Sequence, residues 1–298
     1  MIAIMNKAMS VNNQSSRFLS RLSRLQWLLL IIPLAYVLLL LVNPITGFFK
    51  LSFYDESGFT LEYLKKVLTE RSYVKIIGTT LNIALLVTIF SFLLGYPVAY
   101  LMAQTKSSKW KRIIFFAVLI PFWISLLIRT FSWLLLLSDN GVINGLLMKT
   151  GIVDEPIKML FVRSSVVIGM THVLIPYMIL SLYSIMESID NQLVDAARSM
   201  GASPLRAFLQ VYFPLSLPGA LAGSVLVFIQ GIGFFITPAI LGGRKDIMLS
   251  LLIQDNMLIT LNWNLASALA LVLFVIVLVL LGLSALVLRK TPVLKDVM

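Results

Sequence analysis

The sequence predicts an all-α integral membrane protein with six transmembrane helices joined by short polar segments, and three observations carry that prediction. First, 59% of the 298 residues are apolar and only 12% are charged, whereas a soluble domain needs roughly a quarter of its residues charged to face water. Second, the apolar residues fall in uncharged windows: 25–49, 76–105, 113–138 interrupted only by Arg129, 164–186, 207–243 and 256–288. A helix rises ~1.5 Å per residue and the hydrocarbon core is ~30 Å thick, so about 20 residues make one crossing and each window holds one. Third, there is no Cys and a single His, His172. Disulfides, thiol chemistry and a zinc centre of thiolates and imidazoles are thereby excluded.

The spans are placed at 26–46, 76–104, 113–137, 164–186, 219–241 and 263–288, within a membrane domain of residues 25–288 flanked by segments 1–24 and 289–298. The first follows Arg17, Arg21 and Arg24 as a signal peptide would, but its apolar run is too long and ends in Asn43-Pro44-Ile45-Thr46-Gly47 without a small-x-small cleavage pattern. It is expected to be retained. The second ends at the basic turn from Lys106 to Arg112, the third contains Arg129, and the fourth holds His172 and Pro176. The fifth window is too long for one crossing. Pro214 and Pro218 divide it, so its spanning part is expected to start near Gly219, with the preceding piece in a loop. The sixth runs uncharged to Leu288. No internal repeat is evident.

Six crossings leave both termini on one side, and Lys and Arg near span ends favour the cytoplasmic face. With the N-terminus inside, the inner segments hold 13 basic residues against 4 acidic ones, and the outer segments 10 against 9. An N-in, C-in orientation follows. The net charge of +11 is thus a topology signal rather than a nucleic-acid footprint.

Segment 187–218 stands apart from the other connections. Asp190 is placed to cap a helix running to Met200, Gly201 suits the left-handed C′ position, and Ser203-Pro204 supplies an N-cap followed by Pro at N1. Two short helices joined at a glycine turn are expected. On the first, Leu193, Ala196, Ala197 and Met200 recur at spacings of three and four, flanked by Asp195 and Arg198. The small side chains leave the backbone open to another protein, so the hairpin is either a docking site or a solvated element on the membrane surface.

The pattern Asp195-Ala196-Ala197, three residues, Gly201, nine residues, Val211-x-Phe213-Pro214 resembles the E-A-A-x3-G-x9-I-x-L-P signature of permease subunits of bacterial ABC importers. Asp stands for Glu, Val for Ile and Phe for Leu, while both Ala, the Gly and the Pro match at their spacing. That family carries the signature in the cytoplasmic loop before the penultimate span, where it lies here. Further stretches resemble the spermidine/putrescine-type branch. They are Pro121-Phe122-Trp123, Arg129-Thr130-Phe131-Ser132-Trp133, Asp139-Asn140-Gly141-Val142-Ile143-Asn144, residues 235–243, and Asn262-Trp263 with Ala266-Ser267-Ala268.

The resemblance implies the type I ABC importer permease (MetI-like) fold in a bacterial inner membrane. It implies that 187–218 couples to an ATPase through Asp195, Ala196, Ala197, Gly201 and Pro214. The implied partners are an ABC ATPase in two copies, a second permease that is a similar but different chain, and an extracytoplasmic solute-binding protein. Membrane lipid surrounds the spans, and no nucleic acid is expected. The chain has no G-x-x-x-x-G-K-[ST] phosphate loop and is expected to be no enzyme and to hold no cofactor, so ATP and magnesium belong on the ATPase. The implied function is import of a polyamine, or a related small cationic or amino-acid-like solute, by alternating access; relatives of this branch are also assigned to opines and, more distantly, iron. The alternative is an ion-coupled secondary transporter, which calls for an intramembrane carboxylate or duplicated halves. An intramembrane enzyme would need a catalytic constellation that one His does not supply.

Candidates for the solute path or gate are Arg129, Trp133, Asp139, Tyr177, Phe234, Thr237, Pro238 and Asp255. A charge within a span costs a few kcal/mol unless it snorkels, pairs or faces water. Arg129 therefore either snorkels or pairs with a neighbouring helix, or lines the cavity, where it would repel a polyamine and serve to exclude metal cations or hold an acidic residue of the partner subunit. His172 is a packing residue or a proton relay. The aromatics pack, or hold an ammonium by cation–π contact. Span five, with Gly223, Gly231, Gly233, Thr237 and Pro238, is a moving gate, a dimer contact or a closely packed helix. With no acid inside the spans, affinity for a cationic solute is expected to reside mainly in the binding protein.

Overall fold

The computed structural model describes residues 31, 33–55 and 58–290. The expected segment 1–24, the first residues of the first span and the tail from residue 291 lie outside the described residues. Among the described residues, six helical stretches are long and apolar enough to cross a membrane. The chain divides into two units. The first, ending at Leu51, contains α1 (Pro33–Lys50), whose apolar window has a mean hydropathy of 1.5.

The second unit, from Ser52, is centred on α3 (Arg71–Gln104), α7 (Arg163–Met186) and α10 (Phe213–Ile232). Its core joins Ile83 and Val87 of α3, Met170, Leu174, Met178 and Leu182 of α7, and Ala220 and Val227 of α10. α7 is apolar on all sides and 67% of its window is buried, against 11% for α13 (Trp263–Lys290). The fourth span is therefore the central post and the sixth a peripheral one. α10 reaches α7 through Gly219 and Gly223, one turn apart. A Cβ on Gly219 would lie 3.0 Å from Ile185 Cβ, and one on Gly223 2.8 Å from Met178 Sδ, so hydrogen at these positions is what admits the neighbouring helix.

Proline reshapes two spans relative to expectation. The third is two helices, α4 (Ser108–Trp123) and α5 (Leu126–Leu137), meeting at Ile124-Ser125. Pro121 lacks an N–H and crowds the carbonyl one turn back, so α4 stops two residues beyond it. The apolar stretch counted as the third crossing is Leu126–Lys149, which takes in α5 and α6 (Val142–Lys149). The fifth span starts earlier than Gly219: α9 (Pro204–Ala207), a π-turn over Phe208–Tyr212 and α10 follow one another directly. At the turn the Phe213 N–H bonds to the Phe208 carbonyl, five residues back, and Pro214, which has no N–H to contribute, follows. The span also ends sooner, at Ile232; α11 (Ile236–Leu241) is a separate short helix.

Expected connections hold further structure. β1 (Tyr54–Asp55) pairs antiparallel with β2 (Gly58–Phe59), and the Asn264 amide at the start of α13 donates to the Tyr54 carbonyl at 2.6 Å. α2 (Glu62–Thr69) buries Val67 against Leu249 of α12 (Leu249–Leu258) and Leu265 and Leu269 of α13.

Polar contacts sort the helix ends into two groups. At one end Lys111 pairs with Glu187 and the Gln104 amide donates to Asn191 at 3.1 Å. At the other, Arg163 pairs with Asp246 at 3.0 Å and donates to Asn82 at 3.1 Å. Segments that the charge map assigns to the same side are the ones that meet.

Candidate functional site

The 187–218 segment is built as two helices around a turn. α8 (Asn191–Ser199) is capped by Asp190, whose Oδ1 accepts from the Gln192 N–H at 2.9 Å. It closes in a Schellman motif: the Ala202 N–H reaches the Ala197 carbonyl at 3.1 Å and the Gly201 N–H the Arg198 carbonyl at 2.9 Å. Gly201 has φ +93°, a conformation an L side chain resists. α9 then starts with Pro204 in its first turn, where Ser203 Oγ accepts from the Arg206 N–H at 3.4 Å.

The hairpin presents Leu193, Met200, Leu205 and Leu209 to the outside, Met200 at 83% exposure. Asp195 and Ala196 are exposed beside them. Ala197 departs from the expected accessible strip: it is buried, facing the rest of the chain. Pro214 lies in the first turn of α10.

Beneath the hairpin lies a set of rings the sequence reading did not single out. Tyr100 of α3 meets Tyr212 at 5.0 Å and Phe208 at 5.5 Å between centroids, and Tyr96 meets Phe213 at 5.7 Å. The Tyr96 hydroxyl and Ser216 Oγ are 2.9 Å apart. These contacts, edge-on for Tyr100 and tilted for Tyr96, pack the π-turn and the start of α10 against the end of α3. The i, i+4 spacing of Tyr96 with Tyr100 and of Phe208 with Tyr212 was legible; that the two pairs face each other was not.

Lys111 and Glu187 brace the same end. The Lys111 ammonium, then the Tyr183 hydroxyl, hold the Glu187 carboxyl below its ordinary range, and Glu187 raises Lys111 in return. Both side chains are largely solvated.

A second cluster lies within the spans, on the seam between α5 and α7. Arg129 is in electrostatic reach of Tyr177 and His172. Trp133, one turn past Arg129, meets the His172 ring edge-on at 5.7 Å, and Phe122 meets Tyr177 at 5.0 Å. Alongside runs an apolar groove of about 760 Å³ between α3, α5 and α7, with Trp133, Thr171 and His172 in its wall. Three of the expected path residues, Arg129, Trp133 and Tyr177, are thus brought together.

The others are elsewhere. Thr237 is fully buried with its hydroxyl 3.2 Å from that of Thr130, and Pro238 is buried beside it, so both fasten α11 rather than line an open path. Phe234 sits at the break between α10 and α11, its carbonyl accepting from Ser250 Oγ at 2.6 Å. Asp139 is exposed between α5 and α6, and Asp255 lies on α12; neither lines the groove. Among the described residues, no three His, Asp or Glu side chains gather as metal ligands.

Residues 3–291 match the family model described as binding-protein-dependent transport system inner membrane component. The chain is 34% identical over 218 residues to the spermidine/putrescine transport system permease protein PotB of Escherichia coli (strain K12), covering 73% of this chain and 78% of that one. The Haemophilus influenzae protein of the same name is 36% identical over 204 residues, covering 68% and 71%. Among solved structures, a bacterial ABC transporter involved in the import of the acidic polysaccharide alginate matches with a TM-score of 0.71 at 17% identity, over 89% of this chain and 95% of that one. The MetNI methionine ABC transporter in an inward-facing conformation matches with a TM-score of 0.56 at 18% identity, over 73% and 95%. At these identities the structural likeness speaks for the fold, which is that of type I ABC importer permeases.

Proposed function

The chain belongs to the family of binding-protein-dependent transport system inner membrane components, and on that footing we propose that this ABC importer permease carries a polyamine of the spermidine/putrescine kind, or a closely related small cation, into the cell. The observation that carries the solute assignment is the identity to PotB, sustained over roughly three-quarters of both chains. An ion-coupled carrier is not favoured, since none of α1, α3, α5, α7, α10 and α13 contains Asp or Glu to bind the coupling ion.

In this reading the hairpin of α8 and α9 faces the cytoplasm, in the N-in, C-in orientation, and docks on one of two ATPase copies that hold ATP and magnesium. Its exposed Leu193, Met200 and Leu205 and the bare backbone at Ala196 supply the contact, with Asp195 at its rim. Closure of the ATPase pair displaces the hairpin. The ring cluster passes that displacement to α3 and α10, and the Gly233–Phe235 break lets α11 respond separately, so the pair of permeases alternates between inward-open and outward-open states.

The test is uptake of labelled spermidine and putrescine into proteoliposomes holding this chain, its companion permease, ATPase and binding protein. ATP-dependent accumulation, blocked by excess unlabelled polyamine and indifferent to neutral amino acids, is expected. Accumulation driven by an ion gradient without ATP would refute the importer mechanism. ATP-driven accumulation of an opine or amino acid but no polyamine would refute the solute.

A further inference from the structure

The seam between α5 and α7 carries a positive charge with nothing to balance it. Arg129 lies in a spanning stretch, one turn past the break between α4 and α5. Its guanidinium makes no ion pair, and its buried Nε no hydrogen bond, among the described residues. Arginine keeps its proton at any physiological pH, and an unpaired cation in a spanning helix is strongly disfavoured in hydrocarbon. Nearby on α7, Thr171 is 6% exposed and its hydroxyl has no partner, and neither has His172 Nδ1. Thr171 and His172 line the groove, as does Trp133, one turn of α5 past Arg129; the rest of its wall is apolar except for Arg163 and Ser164 at the start of α7. An apolar slot of about 760 Å³ has room for a row of side chains from a transmembrane helix.

We infer that this face receives a helix of the second permease subunit, and that an aspartate or glutamate on that helix pairs with Arg129. The charge inventory says where the carboxylate comes from. None of the 13 Asp and Glu lies in α1, α3, α4, α5, α7, α10 or α13. The one acid within a counted crossing, Asp139, lies past the end of α5 and is exposed, ten residues on from Arg129; neither α1 nor a second copy of this chain therefore supplies a carboxylate from inside a spanning helix, and the companion permease is a different chain. The proposed solute is itself a cation, repelled by Arg129, and does not serve as the counter-ion. The inference rests on the pairing with a second permease proposed above.

The complex is isolated through a tag on this chain, without solute and without binding protein, so that only contacts between subunits are read. If the wild-type chain brings down no second permease, the pairing itself is wrong and the inference goes with it. Given that pairing, Arg129→Glu should lower recovery of the second permease at least about tenfold, because two like charges then face each other in low dielectric. Arg129→Lys should keep most of it. Inverting each spanning-helix Asp and Glu of the second permease to Arg, one at a time, should reveal one position that restores both recovery and uptake to Arg129→Glu. Unchanged recovery of Arg129→Glu, or a loss that no inversion rescues, overturns the contact. So does intact assembly with abolished uptake, which would assign Arg129 to the solute path. Should Arg129→Glu fail to accumulate in the membrane, Arg129→Gln replaces it. Neutralising the partner's carboxylate should then cost nothing beyond Arg129→Gln alone, and additive losses overturn the contact.

Discussion

Replacing Gly201 separates a backbone requirement from a contact requirement in the α8–α9 hairpin. Gly201 has φ +93°, and a Cβ built on it meets nothing within 4 Å. No clash therefore enters, and the whole penalty is that of holding an L-residue at positive φ, about 1–2 kcal/mol, with valine at the upper end because its branched Cβ crowds the carbonyl. A penalty of that size lowers the ratio of native to relaxed turn roughly 5- to 30-fold. The turn is exposed and outside the helix core, so Gly201→Val is expected to reach the membrane at normal level. Uptake should fall about tenfold or more, because relaxing the turn releases the Schellman bonds and tilts α8 away from α9. Gly201→Asn should retain much more, since Asn enters positive φ more readily. The assays are membrane abundance, recovery of the ATPase on tagged permease, and uptake. Undiminished uptake and ATPase recovery in Gly201→Val would refute the reasoning. An Asn variant as defective as Val would relocate the requirement from the backbone to a surface the ATPase touches.

Overpacking should cost about 1–3 kcal/mol at either glycine, and Gly219→Ala should cost more than Gly223→Ala, because its Cβ would meet Ile185 Cβ and the Ser181 carbonyl oxygen, both fixed, whereas that of Gly223 meets one fixed atom, Ser181 Cβ, besides the movable Met178 Sδ; thermal melting of the purified permease complex reads the order. Arg163→Ala should cost about 3–5 kcal/mol by leaving the Asp246 carboxylate, 7% exposed, without its partner. Asp246→Ala should cost less, since the Arg163 side chain, 44% exposed, can turn to water, and equal losses in the two melting curves would contradict the burial asymmetry. The Lys111–Glu187 pair should contribute no more than about 1 kcal/mol, as a solvated pair does. Because the folded Glu187 carboxyl is depressed, its contribution is complete above the unfolded value near pH 4.3 and vanishes as pH falls through the folded value; the raised Lys111 contributes below about pH 10.4 and loses its part as pH rises through the folded value. A Glu187→Gln deficit in melting temperature that persists at pH 3 or in molar salt would mean another role.

The number of crossings, the membrane class and the local build of the α8–α9 hairpin were determined by the sequence alone. Each depends on chemistry within a few residues of itself: charge-free runs against hydrocarbon thickness, Asp190 before α8, glycine where φ must be positive, proline at a helix start. The tertiary structure decided what no local pattern encodes. Pro121 divides α4 from α5, yet Pro176 and Pro218 lie inside unbroken helices, because neighbouring helices determine whether a missing N–H becomes a break. Gly223 was as compatible with a gate as with packing until Met178 was found against it. Thr237 and Pro238 read as path residues but are buried, while Arg129, Trp133, His172 and Tyr177, up to 48 positions apart in the chain, converge on one seam. In a membrane helix nearly every face is apolar, so hydrophobic periodicity, which tells inside from outside in water, cannot say which face meets lipid and which meets protein. That choice is made by shape and by the few polar atoms that need partners.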